Sequence, residues 1–425
     1  MREHALLGPV RPAPLEAAGA SRLSSVRIST LRLGALVLAL ATYGALSDPT
    51  PDRLGPAEIA VGVLLLLAVG PLQAGATVLT AVVRRPRRLP HEVPGWLLLV
   101  FGLGVSTWLG VTAGWNLGDV ARDLLAHLFL LAPLFLCMGL ATPERDRNVR
   151  VLTWTLAFVG VALATRFLLI SGSSPGSIGQ AIYVKDENLY LSADSTLLFA
   201  AVFLMARALT FRAASHAVRL LVGLALGSGA LLVVSVFLLR GVRGPSVLSV
   251  LAFGTLALHG LRRPRLATFV VIGAVATITA VGLDQLQSVT ELMLTKQDVV
   301  GLNRRDLELA AALDEASRST RTLFLGLGWG ALFRNPAVDW APVSFAHWSM
   351  TYFLLKTGLL GVILMLAYIG SFALPLKRVF ERDFGLGVAL SMPLAVGLMI
   401  NGSFRFLTFG MLLTVVQLAG SRRRG

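Results

Sequence analysis

Apolar runs recur along this chain, and their length limits what it can fold into. A helix needs about 20 residues to cross roughly 30 Å of hydrocarbon. Runs near that length lie at 30–47, 58–83, 95–114, 124–141, 151–170 and 193–210, then at 220–239, 246–261, 266–283, 347–373, 386–400 and 407–420. With 55% hydrophobic and 14% charged residues and a mean hydropathy of +0.74, the composition belongs to a polytopic membrane protein. The expected fold is therefore all-α, with about 12 transmembrane helices.

The loops between these runs indicate a direction. RRPRR (84–88), PERDRNVR (143–150), FRAASHAVR (211–219), RRPR (262–265), LKRVFERD (376–383) and the terminal SRRRG are basic. The alternate loops, SDPTPDR (47–53), WNLGDVARD (115–123), 171–192, RGVRGPS (240–246) and NGSFRF (401–406), are sparse or mixed in sign. The excess of arginine on one set predicts both termini in the cytoplasm. The same distribution accounts for the net charge of +15 without a basic nucleic-acid-binding domain. Residues 1–29 have no apolar core and are expected to be a cytoplasmic tail rather than a cleavable signal. Residues 421–425 form the other tail. The single cysteine, Cys137, excludes an intramolecular disulfide and a cysteine metal cluster.

One segment breaks the pattern. Residues 284–346 are polar and separate runs nine (within 30–283) and ten (within 347–420), which places them on the outer, periplasmic side. Within them NRRDLELAAALDEAS carries helix signals: Asn303 as N-cap, Asp306 in the first turn, and an apolar stripe of Leu309, Ala312, Leu313 and Ala316. Arg304 and Glu308 are spaced as a surface ion pair. Arg305 in a first helical turn opposes the helix dipole unless an anion is near, and such a turn flanked by guanidiniums suits a phosphate. GLGWG (326–330) reads as a close-approach turn, since no strand precedes it and the P-loop Lys-Ser/Thr ending is missing.

Several residues have both a chemical and a plain reading. His347, where the polar segment re-enters an apolar run, suits a general base or an interfacial hydrogen bond. Arg240 and Arg243 flank a short outer turn and suit either an anionic headgroup or snorkelling to lipid phosphate. Arg305 and Arg321 bracket the amphipathic helix, whereas Arg318 and Arg334 read as a solvated face. Arg166, Arg405 and the Arg122–Asp123 pair sit near span ends, where charge is costly and marks either function or an internal ion pair. No metal-ligand spacing is present.

These pieces resemble the O-antigen ligase/polymerase superfamily. His347, Trp348, nine residues, Gly358, Leu359, Leu360 and Gly361 match the ligase branch's histidine-glycine motif except at Trp348, where the family has a small polar residue. LRGVRGPS resembles the family's Ser-Arg-Gly turn at Arg243 and Gly244, with Val242 in place of serine. NRRDLELAAALDEA followed by LFLGLGWGALF resembles its arginine-bearing helix and glycine-rich turn. The resemblance implies an inverting, metal-independent glycosyltransferase of the bacterial inner membrane with no cofactor. Its donor would be an undecaprenyl-diphosphate-linked glycan, and its acceptor a glycan or the lipid A–core, with polysaccharide-assembly proteins as candidate partners. It implies that Arg240, Arg243, Arg305 and Arg321 hold the diphosphate and that His347 activates the acceptor. Trp348, Arg166 and Arg405 are weaker candidates for sugar or acceptor contact, and the outer segment is expected to fold back as a lid over Arg240 and Arg243. A lipid-linked glycan exporter or other secondary transporter, and a non-catalytic assembly scaffold, are the alternatives from other classes.

Overall fold

The computed structural model describes residues 15–47, 55–83, 91–141, 144–173, 190–212, 215–240, 243–261, 305–336, 340–344, 346, 348–399 and 403–421. These residues are helical almost throughout. The helices are α1 (Leu15–Ala45), α2 (Pro56–Val69), α3 (Pro71–Val83), α4 (Glu92–Val100), α5 (Thr107–Thr112), α6 (Leu117–Leu130), α7 (Ala132–Leu140), α8 (Arg145–Ser171) and α9 (Ser195–Thr210). They continue as α10 (His216–Leu239), α11 (Arg243–Leu261), α12 (Arg305–Ser317), α13 (Thr320–Leu325), α14 (Ser349–Gly370), α15 (Ala373–Arg382), α16 (Phe384–Met399) and α17 (Leu407–Gly420). A π-helical turn, Phe101–Ser106, joins α4 to α5. A two-stranded antiparallel hairpin pairs β1 (Phe333–Asn335) with β2 (Ala341–Val343), Arg334 opposite Pro342, and is the one departure from an all-α chain among the described residues.

Four helical segments are long and apolar enough to cross a membrane: Glu92–Thr112, Arg145–Ser171, His216–Leu239 and Ser349–Arg382. The number rises to six if two bent pairs each count once. α2 and α3 bend by 71° at Gly70–Pro71, where a glycine at positive φ ends one helix and proline starts the next. α6 and α7 bend by 41° just before Pro133. Eleven of the twelve apolar runs fall on described helices; 266–283 lies outside the described residues, as do 284–304 of the polar segment.

Some boundaries move. α1 begins at Leu15, inside the stretch expected to be a tail. WNLGDVARD and LKRVFERD are not loops, because α6 takes in 117–123 and α15 takes in 373–382. α15 is amphipathic: it buries Pro375 and Val379 and leaves Leu374 exposed.

α9 and α17 are the centre of the molecule. All but one of the fifteen α9 residues up to Leu209 are buried, and so is nearly every residue of α17. A helix apolar on every side must be surrounded by other helices. α9 packs on α8, α10 and α16, and α17 on α6, α7, α8 and α15. Small residues set the spacing: a Cβ on Gly160 would meet the Thr196 carbonyl at 2.4 Å, and one on Gly410 the Phe129 carbonyl at 1.8 Å. Two of the basic segments, around Arg145 and around Arg378 and Arg382, sit at one end of this bundle and cap it. Arg145 donates to the Ser421 hydroxyl at 2.7 Å, Arg382 to the Ala419 carbonyl at 2.7 Å and Arg378 to the Gly420 carbonyl at 3.4 Å. Cations on the last carbonyls of α17 satisfy orphan acceptors and complement the helix dipole.

Candidate functional site

At the other end α14 breaks, and the break organises the site. Gly358 sits inside this helix at φ 65, ψ −170, a conformation open to glycine and costly for an L side chain. Interrupting the helix frees carbonyls that have no water to turn to in an apolar setting. The glycine-rich turn supplies the donors: Leu327 N–H reaches the Leu355 carbonyl at 2.9 Å, and Gly328 N–H the Lys356 carbonyl at 3.0 Å. The fit needs backbone against backbone. A Cβ on Gly358 would meet the Phe324 carbonyl carbon at 2.4 Å, and one on Gly328, at φ 87, the Gly110 nitrogen at 2.3 Å. GLGWG is thus a close-approach turn, as expected. Gly358→Ala is expected to cost roughly 1–2 kcal/mol from the left-handed backbone alone, plus the displacement of the turn. Thermal unfolding in detergent measures it, and a wild-type transition would disprove the constraint.

The same turn reaches the π-helical stretch. Trp329 is fully buried; its indole N–H donates to the Gly102 carbonyl at 2.8 Å and its backbone N–H to the Ser106 carbonyl at 3.0 Å. Its ring lies 5.1 Å from that of buried His127. The Trp115 indole donates to the Leu327 carbonyl at 3.3 Å. A tryptophan plug and four consecutive amides therefore fasten the outer segment to α4–α6 and α14.

The fourth amide ends on a charge. Gly330 N–H donates to Asp123 Oδ2 at 2.8 Å, and Lys356 Nζ lies 2.7 Å from the same oxygen, both side chains being 0% exposed. Lys356 also donates to the Ala331 carbonyl at 2.5 Å. Around this pair gather Arg122, which bonds Asp119 at 2.6 Å and the Ser344 hydroxyl at 2.6 Å, and Arg405, 5.4 Å from the centre of the Tyr352 ring. Lys356 approaches the same ring at 5.6 Å. Three cations, two carboxylates and a buried tyrosine thus meet near Ser344 and the first turns of α14.

A second polar knot joins the C-terminal end of α1 to the N-terminal ends of α9 and α17. Asp194, the N-cap of α9, accepts from Thr196 N–H at 2.8 Å, from the Tyr43 hydroxyl at 2.7 Å and from Thr408 at 2.8 Å. Arg166 donates to the Ser47 and Gly44 carbonyls at 2.8 and 3.2 Å, capping α1. Arg240, at the end of α10, bonds the Ser192 hydroxyl just before α9.

The residues singled out from sequence are distributed as follows. His347 lies outside the described residues; buried Ala346 and half-buried Trp348, the N-cap of α14, flank it. Arg243 and Arg305 are the first residues of α11 and α12, so each starts a helix. Arg321, in α13, is exposed, as are Arg334 and the Arg318 that pairs with Glu315. Arg405 joins the Lys356 cluster, whereas Arg166 and Arg240 belong to the Asp194 side. The described part of the polar segment docks on α14 and the α4–α6 side; residues 241–242 and 284–304, on which the expected lid over Arg240 and Arg243 depends, lie outside the described residues.

The face of α12 also differs from the expected stripe. Ala312 and Ala316 are buried and Leu313 is 44% exposed, while Glu308 is 1% exposed and accepts a 2.6 Å hydrogen bond from Asn335. The buried amide–carboxylate bond ties α12 to β1, so Glu308 is no surface residue. Lys356, Tyr352 and Trp329 were not anticipated. A lysine inside FLLKTGLLG was the available signal, since charge within an apolar run demands a partner. Among the described residues no three His, Cys, Asp or Glu side chains gather to hold a metal. The chain matches no protein-family model and no curated protein.

Proposed function

We propose that the chain is an inner-membrane glycosyltransferase of the O-antigen ligase/polymerase type. In this reading it has twelve spans, cytoplasmic termini and the Lys356 end facing the periplasm. Eleven of the twelve apolar runs fall on described helices, which supports the spans, and arginines capping α17 at the opposite end support the orientation. The observation that carries the enzymatic reading is the dock. The polar segment is bonded into a broken helix that begins two residues after His347 in the chain, and its Ser344 bonds Arg122 in the cluster that holds Arg405 and Tyr352. Holding a base and an anion site in fixed geometry is what a transfer reaction needs.

The chemistry then follows. The acceptor hydroxyl attacks the anomeric carbon of the donor sugar as the bond from that carbon to the diphosphate oxygen breaks. His347 takes the hydroxyl proton, and undecaprenyl diphosphate leaves with its charge held by arginine. Arg243 and Arg305 are the first residues of two helices, and the N-terminal amides and dipole of a helix favour an anion. The diphosphate is already an activated leaving group, so the residues provide position and charge.

A secondary transporter is the second reading, and the broken helices α2–α3, α6–α7 and α14 favour it. The break in α14 is closed by hydrogen bonds and a fully paired Lys356, which suits a fixed scaffold better than a moving gate. Reconstitution with an undecaprenyl-diphosphate-linked repeat unit, with and without lipid A–core, separates them. Longer carrier-linked chains mean polymerase, and glycan on the core means ligase. Glycan that crosses the bilayer without a new bond would overturn the enzyme.

A further inference from the structure

A groove opens at the basic end of the bundle, far from the dock, between α8, α9 and α10. Its cavity of about 290 Å³ is walled by Trp154, Phe211, Val222 and Leu226 and carries Arg207 and Arg212. The order of these residues along the helices matters. Arg207 is in the last turn of α9 and Arg212 lies just beyond it, whereas Trp154, Val222 and Leu226 lie two to three turns inside α8 and α10. Guanidiniums therefore mark the helix ends and apolar walls run inward from them. Arg150 stands one turn before Trp154, on the same face of α8 and exposed, and Arg219 stands one turn before Val222. One carboxylate opposes this charge: Asp383 lies 2.7 Å from Arg207, whose guanidinium also rests 4.8 Å over the Phe203 ring.

A free phosphate would use the cations and leave the apolar walls unexplained. A phospholipid uses both, with its phosphate at the interface and an acyl chain against tryptophan and aliphatic side chains. Arginine suits the phosphate because its planar fork can donate two hydrogen bonds at once. We propose that this groove binds an anionic phospholipid, with its phosphate between Arg212 and Arg150 and an acyl chain lying over Trp154, Val222 and Leu226. The proposal rests on the membrane placement given above and is independent of glycosyl transfer. Clustered basic residues at the cytoplasmic ends of membrane helices are where anionic headgroups concentrate.

The full chain reconstituted in phosphatidylcholine vesicles tests it. The same small fraction of brominated acyl chains is carried either on phosphatidylglycerol or on phosphatidylcholine, and tryptophan fluorescence is read. Brominated phosphatidylglycerol is expected to quench more strongly, and Trp154→Phe to remove the excess. Arg150→Gln and Arg212→Gln are each expected to weaken phosphatidylglycerol enrichment about fivefold. Equal quenching by the two lipids overturns the site. An excess that survives Trp154→Phe places the lipid elsewhere and overturns the groove. An excess abolished by inorganic phosphate at constant ionic strength reassigns the arginines to a soluble anion. No quenching by either lipid would reject the membrane placement itself, so the two failures are distinguishable.

Discussion

Lys356→Met is expected to destabilise the protein by about 3–5 kcal/mol, the loss seen when one partner leaves a buried ion pair. The methionine fills nearly the same volume, so the deficit comes from charge. Asp123 keeps the Gly330 N–H but loses its counter-ion in a site that is 0% exposed. The Ala331 carbonyl loses the Lys356 donor as well. Docking of the glycine-rich turn should loosen first, because the two groups that meet Asp123 Oδ2, the Gly330 N–H and the Lys356 ammonium, belong to the turn and to the break in α14. Thermal unfolding in detergent, with limited proteolysis of the 305–344 segment, measures both effects. The double variant Asp123→Asn/Lys356→Met should recover most of the loss, since it removes both charges together. A single variant as stable as wild type would show that the pair carries no weight in the dock.

His347→Ala and Arg243→Ala are expected to abolish glycosyl transfer while leaving insertion and unfolding unchanged. Removing a general base costs about 10²–10⁴-fold in rate, and removing one donor to a developing anion about 10²–10³-fold. The two should differ in kind. Loss of the base falls on kcat, whereas loss of an arginine that grips the diphosphate in both ground and transition states also raises KM. The assay is chain growth or core modification by reconstituted protein at saturating and limiting donor. Wild-type turnover by both variants would reject the assignment. An unfolding transition shifted as far as that of Lys356→Met would turn the activity loss into a structural one.

Much of the helical order was readable in one dimension. Apolar length located helices from α1 to α17, and Arg145, Arg378 and Arg382, from two of the arginine-rich segments, turned out to cap α17 at one end. GLGWG was readable as a close approach because nothing in its context fitted a nucleotide loop. The two glycines of the histidine-glycine motif gain a packing reason independent of chemistry. Gly358 lets α14 break against Phe324, and a Cβ on Gly361 would meet the Thr357 hydroxyl at 1.9 Å. Of the expected α12 stripe Ala312 and Ala316 are buried, but Leu313 is exposed and Glu308 is buried, because periodicity ranks Leu313 above Glu308. It has no way of knowing that Asn335 waits on β1 with a hydrogen bond.

From sequence alone, then, came the helix positions, the polar outer segment and the arginines and histidine worth testing. These depend on residues near one another in the chain, through length, spacing and charge. The tertiary structure alone decided what the polar segment does. Asp123 and Lys356 are 233 positions apart and Trp329 and Gly102 are 227 apart. Burial sets the strength of both contacts, because a charge or an indole N–H taken out of water must find its partner wherever the fold places one.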